Sequence, residues 1–154
     1  MPVVPDVPTI SRALQLLNSG DAEAAADLLR NVHAQPNATI DLLLNYPSNR
    51  LAVYGSLAPG ERNHHILTPI TGSWLPGSVR GFLNDAGWGT ALGYRSLVWD
   101  PTAPEVSVLV FESVELSNHW LRIDEFEGPD YRRIWLPVIT SRGILVANLY
   151  AANL

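Results

Sequence analysis

Apolar residues in the first fifty positions recur at helical spacing. The first run follows the i, i+4, i+7 pattern of a helix with one apolar face, at Ile10, Leu14 and Leu17. The turn-forming run Asn18-Ser19-Gly20 then ends this helix. Asp21 can cap a second helix from Ala22 to about His33, and a short third helix is predicted over residues 40–44.

These helices form a segment of their own at the start of the chain. The first two, joined by Gly20-Asp21, look like one tetratricopeptide-type helical hairpin. A single such hairpin cannot bury its own apolar face, because solenoids need about three repeats. We therefore expect residues 1–48 to be a helical N-terminal extension that caps the main domain or forms a dimer contact, rather than a solenoid fragment.

After residue 50 the pattern changes to short apolar runs separated by Gly and Pro, which is typical of strands. The predicted strands are residues 51–54, 79–83, 96–99, 106–111, 134–140 and 144–150. Ser141-Arg142-Gly143 predicts a hairpin between the last two. One helix, from about Ser117 to Phe126, interrupts the series. Mixed strands with an inserted helix predict an α+β domain with a curled or closed sheet over residues 49–154.

Composition narrows the classes of function. The chain has 154 residues, 47% of them hydrophobic, and this is enough to bury a core. A formal net charge of −5, with the basic residues scattered, argues against nucleic acid as a partner. We also expect no membrane association, since no apolar run approaches the roughly 20 residues that span a bilayer. The chain has no Cys and no secretion signal at its first residues, and we expect a cytoplasmic protein.

The predicted helix near residue 120 carries a carboxylate on its apolar face. Leu116, Trp120 and Ile123 lie at i, i+4 and i+7, and Glu127 occupies the next position of the stripe. Asp124 and Glu125 fall on other faces, and we expect them to be solvated charges. A carboxylate on an inward face finds a partner or keeps its proton, and a raised pKa suits general acid/base chemistry. The alternative is a structural Glu127 that pairs with Arg132 or Arg133.

A second candidate feature follows the first predicted strand. The run Tyr54-Gly55-Ser56-Leu57 leads into Ala58-Pro59-Gly60. Gly55 lacks the Cβ that would keep a ligand from the backbone, and consecutive N–H groups in a turn can bind an anion or an oxyanion. Ser56 does not have the flanking glycines of a nucleophile elbow. An ordinary strand-to-loop turn is the alternative.

Other kinds of site are not supported by the sequence. The adjacent residues His64 and His65, with His33 and His119, match no metal-ligand spacing, so we expect no metal. The glycines at 87, 89 and 93 do not form a dinucleotide fingerprint, and a chain without Lys cannot complete a P-loop. We therefore expect no cofactor.

Two segments together resemble the motifs of the gamma-glutamylcyclotransferase-like family. They are Val53-Tyr54-Gly55-Ser56-Leu57-Ala58-Pro59-Gly60 with Asn63-His64 shortly after, and Ile123-Asp124-Glu125-Phe126-Glu127-Gly128 followed by Tyr131-Arg132-Arg133 and Pro137-Val138. The resemblance extends over about residues 51–150 and leaves out the N-terminal helices. It implies a small mixed β-barrel with packed helices and a cavity at one mouth.

The resemblance also implies a reaction and a set of site residues. The reaction is an intramolecular acyl transfer, without cofactor, that converts a γ-glutamyl-amino acid or γ-glutamylamine to 5-oxoproline and a free amine. Glu127 matches the catalytic glutamate of the family, as general acid/base. The substrate would be held by Tyr54, Gly55, Ser56, Leu57 and Tyr131. The region from Gly87 to Tyr94 would influence the choice of substrate.

Two other functions remain open at this level. One is a non-catalytic module of the same fold that binds a small metabolite. The other is a scaffold that binds a partner through its N-terminal helices, which could also form a homodimer. If these helices cover the mouth of the cavity, turnover itself is in doubt.

Overall fold

The computed structural model describes residues 7–33, 40–84 and 95–153. Its helices are α1 (Val7–Asn18), α2 (Ala22–His33), α3 (Ile40–Leu43) and α4 (Trp120–Glu127), with short 3-10 turns at Pro47–Asn49, His64–Ile66 and Leu116–Asn118. Its strands are β1 (Arg50–Val53), β2 (Ser73–Asn84), β3 (Ser96–Trp99), β4 (Glu105–Glu112), β5 (Tyr131–Thr140) and β6 (Gly143–Ala152). Among the described residues, no helix has both the length and the apolar character needed to cross a membrane.

Five of the described strands form a closed barrel. They are hydrogen-bonded in the order β2-β4-β1-β6-β5, and a further pairing of β2 with β5 closes the ring. The β1–β6 pair is parallel, while the other pairs are antiparallel, and β3 extends the outer edge of β2. The predicted α+β class with a small mixed barrel is confirmed.

Closure depends on a glycine at the point where β2 meets β5. Gly77 pairs with Thr140, and a Cβ at this position would lie 2.7 Å from Cγ1 of Val138. Only a residue without a side chain therefore allows the strands to approach this closely. The strand predicted over residues 79–83 is longer than expected and begins at Ser73.

Alternation along β5 and β6 separates the barrel interior from its outer wall. The inward residues join the main core, and they include Ile134, Leu136, Val138, Ala147 and Leu149. The outward residues form facing cross-strand pairs, which are Arg133 with Tyr150, Trp135 with Asn148, and Pro137 with Val146. The outer wall is therefore a surface on which helices can pack.

Two groups of helices cover this outer wall. The first is α4 with the 3-10 turn before it, whose Leu116, Trp120 and Ile123 are buried in a second cluster, as the predicted apolar stripe requires. The second is the N-terminal segment, whose Ile10, Leu14 and Leu29 share a third cluster with Val146 of the barrel. Both groups lie on the outside, and the polar pairs of the wall lie between them.

The N-terminal helices pack on the barrel as a cap. Asp21 caps α2, as expected, through a 3.1 Å hydrogen bond from the Ala24 N–H to its Oδ1. Asn18, at the end of α1, contacts the backbone of Trp135 on β5 in two hydrogen bonds. This packing agrees with a cap, whereas the dimer contact stays a prediction.

Candidate active site

The loop after β1 is fixed by contacts with the segment that follows it. The Asn63 N–H donates to the Ser56 carbonyl at 2.8 Å, and its Nδ2 donates to the Ser56 Oγ at 3.0 Å. His64 Nδ1 lies 3.0 Å from the Leu57 carbonyl oxygen. The Leu57 side chain is buried in the cluster beneath α4. Side chain and backbone together therefore hold the loop in one conformation.

The loop also carries backbone donors that are unpaired in the described part of the chain. Within the described part of the chain, the N–H groups of Gly55, Ser56 and Leu57 donate no hydrogen bond. A Cβ added at Gly55 would meet no atom within 4 Å, so this side of the loop faces open space. Three successive N–H groups in such a turn can stabilise an anion or an oxyanion.

The Tyr54 hydroxyl has a structural role beside these donors. It donates to the Tyr150 carbonyl at 2.7 Å and accepts from the Leu97 N–H at 2.9 Å. Burial raises the pKa of this phenol, which stays protonated. Tyr54 thus ties the loop to β6 and β3, and its ring forms one wall of the site.

Glu127 stands at the end of α4. The helix stops there because Gly128 adopts a φ of 76°, in the region that favours glycine, and its N–H donates to the Asp124 carbonyl at 3.1 Å. Burial raises the pKa of the Glu127 carboxyl from 4.5 to about 7. In the described residues, no group donates a hydrogen bond or forms an ion pair with it. Its proton can therefore be gained or lost near neutral pH.

One pocket brings together all of the residues predicted for the site. Its enclosed volume is about 40 Å³, and it opens to solvent. Its lining includes Tyr54, Gly55, Ser56, Leu57, Glu127 and Tyr131. No lining residue comes from the described N-terminal helices, which therefore leave this pocket uncovered. The roles of these residues stay predictions.

The structure does not contain the alternative pairing of Glu127 with Arg132 or Arg133. Arg133 donates from Nε to Oδ1 of Asp124 at 2.8 Å and from Nη2 to Oδ2 at 3.3 Å. Arg132 is exposed. Glu127 therefore remains free for a ligand in the described part of the chain.

Asp124 was expected to be a solvated charge, and its side chain is 39% exposed, but it is also paired. Besides its two bonds from Arg133, it accepts a 2.6 Å hydrogen bond from the Tyr150 hydroxyl. Helical spacing placed Asp124 off the apolar stripe, but this flank of α4 packs against the polar pairs of the barrel wall. Glu125 is exposed, as expected.

Sequence reasoning also missed two polar residues that line the pocket, Tyr150 and Arg95. The Arg95 carbonyl accepts a 2.9 Å hydrogen bond from the Tyr131 hydroxyl. A signal for Tyr150 was present, because a two-residue turn at Ser141-Arg142 fixes the register that sets Arg133 opposite Tyr150. The region from Gly87 to Tyr94, to which substrate choice was assigned, lies outside the described residues.

Comparison with protein families gives a match over residues 51–154, to the model described as gamma-glutamyl cyclotransferase, AIG2-like. The chain belongs to this family. The match begins at the second residue of β1 and excludes α1–α3. A comparison with curated protein sequences gives no match.

Solved structures show the same fold. YkqA from Bacillus subtilis is 28% identical, with a TM-score of 0.54, over 68% of this chain and 36% of that one, so the chain spans about a third of its length. An AIG2-like protein from Mus musculus is 21% identical, with a TM-score of 0.53, over 68% of this chain and 76% of that one. A gamma-glutamyl cyclotransferase is 16% identical, with a TM-score of 0.50, over 68% and 66%.

Proposed function

We propose that the protein is a cyclotransferase that converts a γ-glutamyl-amino acid or γ-glutamylamine to 5-oxoproline and a free amine. The observation that carries the proposal is the Glu127 carboxyl, half-buried and without a partner in the described chain, in a pocket with three unpaired N–H groups. A proton acceptor and an anion cradle in one pocket are what an intramolecular acyl transfer requires. Membership of the family supports the same reaction.

In this reaction the α-amine nitrogen of the glutamyl group attacks its own γ-carbonyl carbon. A C–N bond forms to close the five-membered ring, and the C–N bond to the leaving amine breaks. Glu127 takes a proton from the attacking nitrogen and returns it to the leaving nitrogen, so the carboxylate is regenerated. A pKa of about 7 suits both transfers near neutral pH.

The loop contributes through its backbone. As the γ-carbonyl becomes tetrahedral, its oxygen gains negative charge, and the N–H groups of Gly55, Ser56 and Leu57 can donate to it. Ser56 is not the nucleophile in this scheme, since its Oγ accepts from Asn63 Nδ2 and donates to no base among the described residues. The loop also favours a curled substrate, and orientation of this kind lowers the barrier by several kcal/mol.

A screen for product tests the proposal. Purified protein is incubated with γ-glutamyl-amino acids and γ-glutamylamines, and 5-oxoproline is measured by mass spectrometry. We expect Glu127→Gln to reduce the rate by about 10²- to 10⁴-fold, because it removes the proton acceptor and keeps the shape. The matched control is Glu125→Gln, which changes an exposed carboxylate on the same helix and should leave the rate unchanged.

Other outcomes would decide against this function. A γ-glutamyl compound that binds equally to wild type and Glu127→Gln, without product, would indicate a binding module. Full activity of Glu127→Gln would exclude Glu127 as the acid/base. If neither substrate class binds and neither gives product, the proposed reaction is contradicted.

A further inference from the structure

A chain of hydrogen bonds runs along the outer wall of the barrel from the N-terminal helices to α4. Asn18 contacts Trp135, and the Trp135 Nε1 donates to Oδ1 of Asn148 at 2.9 Å. Arg133 donates to the same Oδ1 at 2.9 Å and also to Asp124. Tyr150 then joins Asp124 to the pocket.

We infer that Asp124 is a positioning residue for Glu127, and that Asn18 anchors the far end of the same chain, so that α1 supports the site without touching it. The inference rests on the proposed role of Glu127. It concerns residues that face away from the substrate, and it includes a helix outside the family match.

Asp124 fixes the half of α4 that ends in the pocket. Glu127 lies three residues further along, so the two side chains are one helical turn apart. Three hydrogen bonds hold the Asp124 carboxylate, two from Arg133 on β5 and one from Tyr150 on β6. The start of the helix has a separate anchor, a 3.0 Å bond from Trp120 Nε1 to the Ser48 carbonyl. Asp124 thus sets the direction in which the last turn points.

The pairing also balances the charge of Asp124 in the last turn of the helix. The Asp124 charge lies near Glu127, but Arg133 faces it at 2.8 Å, and burial is the cause of the raised Glu127 pKa. The other titratable or charged groups that line the pocket with Glu127 are Tyr54, Arg95, Tyr131 and Tyr150. Removal of either member of the Asp124–Arg133 pair would therefore leave one unbalanced charge beside the carboxyl.

Asn18 extends the chain to α1 through an unusual contact. Its Nδ2 donates to the Trp135 carbonyl at 2.8 Å, and its Oδ1 accepts from the Trp135 N–H at 3.2 Å. One side-chain amide thus satisfies both backbone groups of a strand residue, as a neighbouring strand would. The indole N–H of Trp135 and the guanidinium of Arg133 both donate to Asn148 Oδ1, which connects this contact to Arg133.

The first test measures two quantities that a purely structural role would not change together. The pKa of Glu127 is read by carbon NMR of its carboxyl, with Glu127→Gln for assignment, and kcat is measured at about pH 9, where Glu127 is ionised. Asp124→Asn leaves Arg133 unbalanced, so the pKa should fall by about half a unit or more. Arg133→Met leaves Asp124 unbalanced, so the pKa should rise by a similar amount. Both variants should lose about tenfold in kcat, with KM nearly unchanged.

The outcomes separate this inference from the proposed function. A Glu127 pKa and a kcat that stay at wild-type values in both variants would overturn the positioning role and leave the reaction intact. If the wild type forms no 5-oxoproline, the proposed function fails. The Glu127 pKa, expected to fall in Asp124→Asn and to rise in Arg133→Met, still tests the Asp124–Arg133 pair. The control is again Glu125→Gln, which should move neither quantity.

The second test addresses Asn18 and needs no activity. Hydrogen exchange of residues 120–127 is compared between wild type, Asn18→Ala and Ile10→Ala, which weakens the packing of α1 but leaves the hydrogen-bonded chain. We expect exchange in α4 to be about fivefold faster in Asn18→Ala than in Ile10→Ala. Asn18→Asp retains the acceptor for the Trp135 N–H and should give an intermediate rate. Faster exchange confined to α1 would overturn the anchoring role.

Discussion

Two polar regions, one around Asp124 on the barrel wall and one around Glu127 in the pocket, differ in how their hydrogen-bonding groups are satisfied. On the outer wall, Asp124, Arg133 and Asn148 are bonded to one another and to neighbouring backbone. In the pocket, Glu127 and the N–H groups of the adjacent loop have no partner in the described chain. A buried polar group without a partner costs free energy in the folded state. The difference sets a wall whose polar groups are satisfied by the protein beside a pocket whose polar groups a ligand can satisfy.

The largest expected effect comes from breaking the saturated region at its centre. Asn148 is fully buried, and its side chain accepts from Arg133 and Trp135 and donates to the Pro47 carbonyl. Asn148→Ala leaves these partners unsatisfied, so we expect the free energy of unfolding to fall by about 4 kcal/mol. Urea denaturation measures this change.

An exposed asparagine provides the control for this variant. Asn153 makes one side-chain hydrogen bond, to the Pro129 carbonyl at 2.8 Å. Asn153→Ala should cost less than about 1 kcal/mol. A similar loss in the two variants would contradict the claim that the polar groups of the wall are satisfied by the protein.

The next effect tests the cost of the unpaired carboxyl. Because the Glu127 pKa is about 7 in the folded state and 4.5 ordinarily, ionisation disfavours folding. Below pH 4.5 both states are protonated and the cost is absent; it grows as pH rises and is complete above pH 7. Glu127→Gln should therefore be more stable than wild type by about 3 kcal/mol at pH 8. The difference should vanish near pH 4.

Thermal and urea unfolding at the two pH values measure this difference. Glu125→Gln, which changes an exposed carboxylate, should show no pH-dependent gain. A Glu127→Gln protein that is less stable than wild type at pH 8 would mean that the ionised carboxylate has a stabilising partner, and the contrast between the two regions would fail.

Much of the fold was predictable because it depends on local patterns. Helical spacing gave α1 and the buried stripe of α4, and the turn at Ser141-Arg142 gave the β5–β6 hairpin. The start of β2 was not predictable, since Pro76-Gly77 is a turn signal along the sequence. Gly77 is needed within this strand because of its close contact with Val138, more than sixty residues away.

The site was predictable in part for the same reason. Helical periodicity predicted that Glu127 faces inward. It cannot show that the loop after β1 lies beside Glu127, and only the family resemblance predicted that the loop and Glu127 share a site. The hydrogen bonds of Asp124 were missed because its partners, Arg133 and Tyr150, lie on two strands and become neighbours only when these strands pair. Asn18 was read as part of a turn, whereas its amide bonds to a strand 117 residues away.

The smallest effect concerns the open side of the loop. A Cβ at Gly55 would meet no protein atom within 4 Å and would project from the pocket lining. Gly55→Ala should therefore fold as well as wild type, but its methyl group occupies space next to the unpaired N–H groups. We expect KM for the γ-glutamyl substrate to rise about tenfold, equivalent to about 1.4 kcal/mol. Steady-state kinetics and urea denaturation of the same sample measure both properties.

Gly77→Ala is the matched comparison, because its Cβ would lie 2.7 Å from Val138 Cγ1 in the closed barrel. This variant should lose about 2 kcal/mol of stability through overpacking and keep its KM, the opposite pattern to Gly55→Ala. If Gly55→Ala instead loses stability and retains the wild-type KM, the loop glycine serves the fold. The open side of the loop would then not be a ligand surface, and the contrast between the wall and the pocket would not hold at this position.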